Sequence, residues 1–158
     1  MDNLYDGNAS KFTEDFEVLF YSCFKQIQQY GCTYMYYTLI GPDDTRLRFC
    51  TDEDWINTYL NEGLLNNDPL KAISQEKISR ILLWNHVPIN GREAKKVMEA
   101  RKSFKKFNGI NIIEYDSQSM NQRILTLCTD CESYNLPKEL LEKSEILKDL
   151  SSKIFRFA

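Results

Sequence analysis

The sharpest chemical pattern in the chain is Trp55-x3-Tyr59-x8-Asp68-Pro69, with Trp84 and Gly109 further on. On a helix Trp55 and Tyr59 are i and i+4, so their rings share a face. Each joins an apolar body to a tip that can donate one hydrogen bond. Asp68 precedes Pro69 and suits the N-cap of a helix that the proline opens. Its carboxylate could turn to backbone N–H groups or into the space that the two rings face. Two donors and one acceptor converging there would suit a small ligand with carbonyls and an amide N–H. The plainer reading has Trp55 and Tyr59 as core anchors and Asp68 as a cap only.

Other chemistries are poorly supplied. Cys128-Thr-Asp-Cys131 is one C-x-x-C, but a structural zinc site wants a second close pair, and the single histidine is His86. The redox version of the motif opens a helix after a strand in a βαβ unit, whereas this one ends a strand and precedes a loop. A Cys–His nucleophile would need His86 beside a cysteine with a third orienting group. There is no nucleophile elbow and no Gly-rich phosphate loop. We therefore expect no metal, no cofactor and no enzymatic activity.

Composition narrows the class. The 158 residues suit one domain, taken as 1–158. The net charge of −3 argues against a nucleic-acid-binding face. Residues Met1 to Gly7 have no basic, apolar leader, and no apolar run is long enough to span a membrane. Five cysteines without a secretory signal fit free thiols in the cytoplasm.

The elements that must position these residues follow from periodicity. Thr13 caps a helix to Tyr30, with Phe16, Leu19, Phe20, Cys23, Phe24 and Ile27 at helical spacing and Gly31 at its end. Cys32–Ile40 and Arg46–Cys50 read as a hairpin around Gly41–Asp44. Asp52–Leu60 is a short helix, with Thr51 and Asp54 in capping-box spacing and Gly63 as its stop. Asp68-Pro69 starts another. Ile78–Trp84 is apolar and fits either type. A helix over Gly91–Phe107 carries Ala94, Val97, Met98, Arg101, Phe104 and Phe107 on one side. Ile110–Tyr115 and Gln122–Cys128 form a second hairpin, and Pro137–Phe157 reads as one closing helix. Helix, hairpin, helices, hairpin, helix predicts an α+β fold. We expect an α/β/α sandwich, GAF/PAS-like, around an antiparallel sheet of about five strands, with space for a cavity between sheet and helices.

The ensemble resembles the autoinducer-binding domain of LuxR-type quorum-sensing transcription regulators, from about Phe12 to Phe157. The W-x3-Y and D-P elements match Trp55, Tyr59, Asp68 and Pro69. The second tryptophan looks like Trp84, the strand-opening glycine like Gly109, and a polar position on the last strand like Thr126. The resemblance implies a bacterial sensor that holds an N-acyl-homoserine lactone. Trp55 would bind the lactone carbonyl, Tyr59 the amide carbonyl and Asp68 the amide N–H. Trp84 would wall the lactone ring and Thr126 would add a polar contact. The acyl chain would lie among Tyr34, Tyr36, Leu39 and Ile124, whichever strand face is inward. Pro69 and Gly109 would be structural.

Two departures stand out. The family often has Tyr-Pro shortly before the first tryptophan, where this chain has Thr51-Asp52-Glu53-Asp54. The helix-turn-helix DNA-binding half is absent from the 158 residues, so no direct nucleic-acid contact is expected. The expected partners are the autoinducer and either a second copy or a LuxR-type regulator. The alternative is a ligand-free dimerisation or anti-activator module on the same fold, using exposed aromatics such as Phe155 and Phe157.

Overall fold

Side chains alternate across a strand, so one run of sequence can serve two cores. In β2 (Tyr34–Ile40), Tyr34, Tyr36, Thr38 and Ile40 point to one face, while Met35, Tyr37 and Leu39 point to the other. The same division runs through β3 (Arg46–Cys50), β5 (Asn108–Tyr115) and β6 (Gln122–Thr129). A computed structural model describes residues 4–5 and 12–157. Of Met1 to Gly7, only the backbone of Leu4 and Tyr5 falls within the described residues, so the expectation of no leader lies outside them.

With β1 (Leu4–Tyr5) and β4 (Arg80–Leu83) the sheet is antiparallel throughout, in the order β1-β3-β2-β6-β5-β4. The expected five strands are present, with the ambiguous apolar run supplying β4. The two-residue strand β1 adds a sixth at the β3 edge. Helices α1 (Glu14–Gln28), α5 (Leu136–Glu142) and α6 (Ser144–Phe157) cover one face. Helices α2 (Glu53–Asn61), α3 (Pro69–Ser74) and α4 (Arg92–Ser103) cover the other. This is the α/β/α sandwich. The α1/α6 side is a dense aromatic core, with Phe16 5.5 Å from Tyr37 and Phe20 4.8 Å from Phe49 between ring centroids.

Several boundaries differ from expectation for physical reasons. The closing helix is two helices. Lys143 leaves helical geometry at φ −112°, ψ 44°, and the turn lets Leu136 and Leu140 of α5 bury beside Leu147 and Leu150 of α6. Phe155 is buried in that core, so of the two proposed surface aromatics only Phe157 is exposed. Asp52, not Thr51, caps α2, accepting from Trp55 N–H at 3.0 Å. Thr51 Oγ1 instead accepts from Met35 N–H at 3.0 Å. Helix α4 stops at Ser103 because the chain folds back through Lys105, at φ 60°, and Lys106 N–H returns to the Arg101 carbonyl.

Gly109 lies opposite Cys128 in the β5–β6 ladder. A Cβ there would overlap the Leu127 carbonyl oxygen and sit 3.1 Å from the Cys128 Cα. The position is glycine because two backbones approach, without need of a positive φ. Gly109→Ala should push the strands apart and cost about 1–3 kcal/mol, the range for overpacking a tight core. A lower urea midpoint at unchanged slope would register it.

Candidate ligand-binding site

Between the sheet and the α2–α4 layer lies a cavity of about 60 Å³. All six expected contact residues line it: Tyr36, Trp55, Tyr59, Asp68, Trp84 and Thr126. Trp55 and Tyr59 share the buried face of α2, with ring centroids 5.5 Å apart. Gly63, at φ 67°, turns the chain after α2 towards Asp68. Pro69 takes the first turn of α3, as its fixed φ favours. Trp84 sits in a 3₁₀ turn after β4 and donates from Nε1 to Asn111 Oδ1 at 3.0 Å. Asn111 in turn donates to Ser74 Oγ at 2.8 Å. Among the described residues, no group accepts from the Trp55 indole N–H.

Asp68 does both things that its position allowed. Oδ1 caps α3 by accepting from Leu70 N–H at 3.0 Å, and Oδ2 accepts from the Tyr59 hydroxyl at 2.7 Å. A fourth element completes the set. Arg101 of α4 grips both oxygens, Nη1 on Oδ1 at 2.7 Å and Nη2 on Oδ2 at 2.5 Å. Its guanidinium carbon stands 5.6 Å from the Trp55 ring, 5.8 Å from Tyr59 and 5.5 Å from Trp84. This is a cation in an aromatic cage, closed by a carboxylate.

The electrostatics follow from burial. Desolvation alone would raise the Asp68 pKa, but Arg101 and the donated hydrogen bonds outweigh it and hold the carboxyl below its ordinary value. Burial works against the Arg101 charge, Asp68 outweighs it, and the guanidinium stays protonated. Burial and then the Asp68 charge push the Tyr59 phenol up, so it remains a donor.

Arg101, Asn111 and Ser74 are among the cavity residues that motif reading misses. Arg101 did leave a signal: a charge in the apolar stripe of α4, between Val97 and Phe104, announces a buried partner. The three acids at the start of α2, Asp52, Glu53 and Asp54, are not a uniform acidic rim, since Asp52 turns to the buried Lys106 at 2.5 Å. Lys106 in turn lies over the Tyr34 ring at 4.5 Å.

The opposite end is polar. Strand register sets Thr38 beside Arg48 and Ile124, toward the β3 edge. There the cavity is lined by Thr38, Arg46, Arg48, Lys71 and Gln75. Burial raises the Tyr36 phenol, opposed by Arg48 next to it. Leu39 packs on the other core, so the acyl side expected around Tyr34, Tyr36, Leu39 and Ile124 keeps only three of the four.

Among the described residues, no group of three or more His, Cys, Asp or Glu side chains could hold a metal ion. No helix there is long and apolar enough to cross a membrane. Cys128 is buried, with its thiol pushed up to about 12 by burial, while Cys131 is exposed.

The buried pair makes two expectations. Asp68→Asn strands a charged guanidinium in the core and should cost about 3–5 kcal/mol, well beyond a lost cap. Because the folded carboxyl titrates below its unfolded value, its contribution is complete above about pH 4 and is lost as pH falls further. Urea unfolding across pH should therefore show the wild-type advantage over Asp68→Asn shrinking in acid.

Comparison with known proteins supplies the lineage. The family model described as autoinducer binding domain matches residues 15–156. No curated protein matches the sequence. Among solved structures, the fold is similar to CepR2 from Burkholderia cenocepacia, an N-acylhomoserine lactone-dependent LuxR family transcription factor. The TM-score is 0.66 at 17% identity, over 91% of this chain and 96% of that one. It is also similar to Escherichia coli SdiA, with a TM-score of 0.67 at 20% identity, over 91% of this chain and 62% of that one. SdiA in complex with octanoyl-rac-glycerol gives 0.66 at 20% identity, over 91% and 60%. The chain thus spans about three-fifths of the length of those two SdiA chains. With its matched residues covering both faces of the sheet and the whole cavity, the chain belongs to the autoinducer-binding domain family.

Proposed function

We propose that the chain is a sensor domain, not an enzyme. In this reading it takes an N-acyl-homoserine lactone, or a small signal of similar chemistry, between the sheet and the α2–α4 layer. The observation that carries this reading is the convergence of Tyr36, Trp55, Tyr59, Asp68, Trp84 and Thr126 on one cavity, from four separate stretches of sequence. The open Trp55 N–H is the donor for a ligand carbonyl. Thr126 and Tyr36 face the same space from the sheet. The polar lining at Thr38, Arg48 and Lys71 suits a short or oxygenated tail better than a long alkyl chain.

The readout is a regulator partnership. A second copy of the chain or a LuxR-type regulator is the partner that the resemblance supports, with the whole chain, 1–158, acting as one sensor unit without its own contact to nucleic acid. The five free cysteines, four of them buried, support a cytoplasmic setting.

A ligand that binds only the folded state raises its stability by mass action. Thermal unfolding with a panel of acyl-homoserine lactones should show a saturable rise for short and 3-oxo chains, fading as the alkyl chain lengthens. A flat response across the panel would count against the reading.

A further inference from the structure

The aspartate expected to receive a ligand amide already has a partner from within the chain. Both Asp68 oxygens are taken by Arg101, at 2.7 and 2.5 Å, and each accepts one further hydrogen bond. The guanidinium carbon lies within 6 Å of the centroids of all three rings expected to hold a head group. What remains is about 60 Å³. Pockets that take drug-sized ligands run to roughly 300–1,000 Å³. An amide N–H offers Asp68 one hydrogen bond from a neutral donor, where Arg101 gives two from a cation. Lifting Arg101 away would also leave two buried charges to be matched again.

We propose that Arg101 is a built-in occupant of the head-group end of this cavity, and so the residue that sets what the site accepts. The guanidinium is a tethered internal ligand for Asp68 and the Trp55–Tyr59–Trp84 cage. A neutral lactone enters only by displacing it. The idea rests on the sensor reading for the place where a ligand binds, but the occupancy itself concerns this chain's own residues. It predicts that the subsite, once vacated, prefers a small alkylguanidinium cation.

The test compares wild type, Arg101→Ala and the double variant Asp68→Asn/Arg101→Ala. The double variant removes the orphaned carboxylate together with the arginine, and keeps the comparison alive if the single variant folds poorly. Each is titrated with n-propylguanidinium and, separately, with a short-chain acyl-homoserine lactone, following thermal unfolding and binding by calorimetry. Arg101→Ala should be destabilised and rescued saturably by n-propylguanidinium, or should refold only in its presence. Wild type and the double variant should not respond to the cation. Lactone should bind Arg101→Ala about tenfold or more tighter than wild type, since the competing internal state is gone, and the double variant tighter than wild type by less, since its amide at position 68 is a weaker acceptor than the carboxylate.

Cation rescue without lactone binding in any variant would uphold the occupancy and sink the lactone reading. Lactone binding to wild type as tight as to either variant, with no cation rescue, would overturn the occupancy and leave the sensor reading standing. Absence of both responses would overturn both.

Discussion

One buried ion pair organises the ligand side of this molecule. A carboxylate and a guanidinium cannot lie under a helical layer unless each is matched, because desolvating an unmatched charge costs several kcal/mol. Asp68 meets that condition by accepting from three helices at once: Tyr59 of α2, the Leu70 amide of α3 and Arg101 of α4. The helices over this face are thus held to one another through a single side chain, with the Trp55, Tyr59 and Trp84 rings closing around the cation. Move any one helix and the other two lose a partner at the same point.

The sheet separates this polar machinery from a conventional core. On the α1/α6 face Phe16, Phe20, Tyr37 and Phe49 interlock with the leucines of α5 and α6. On the other face the same strands present Arg46, Arg48, Thr38 and Asn111, groups that need partners rather than packing. Close-packed apolar cores hold one arrangement, whereas hydrogen-bonded and ionic groups can exchange one partner for another. A domain that must respond to a small molecule places the exchangeable groups on one side and the rigid scaffold on the other.

Much of this was legible in residue order. Period-2 and period-3.6 patterns located the long elements, the hairpin around Gly41–Asp44 among them, and W-x3-Y with D-P marked residues that do line one cavity. Facing was less legible, because alternation says that Tyr36 and Leu39 lie on opposite sides without saying which side is the cavity. The α5–α6 break was hidden because leucines at Leu140, Leu147 and Leu150 keep a helical period across it. Asp52 rather than Thr51 became the cap because Thr51 was drawn to Met35 by strand pairing, an interaction between distant segments. Arg101 is the instructive case. Its place in an apolar stripe was visible, but its partner lies 33 residues away and is set by the tertiary fold alone.

The most direct test of the account is the indole N–H spectrum, since the chain has only two tryptophans. Nitrogen-15 NMR would follow both signals as a short-chain acyl-homoserine lactone is added to wild type and to Arg101→Ala. The Trp55 signal, which has no acceptor among the described residues, should move saturably in both, at lower lactone concentration in the variant. The Trp84 signal, held by Asn111, should move less. A Trp55 signal that stays in place in both chains would contradict a ligand site built on Trp55 and Asp68.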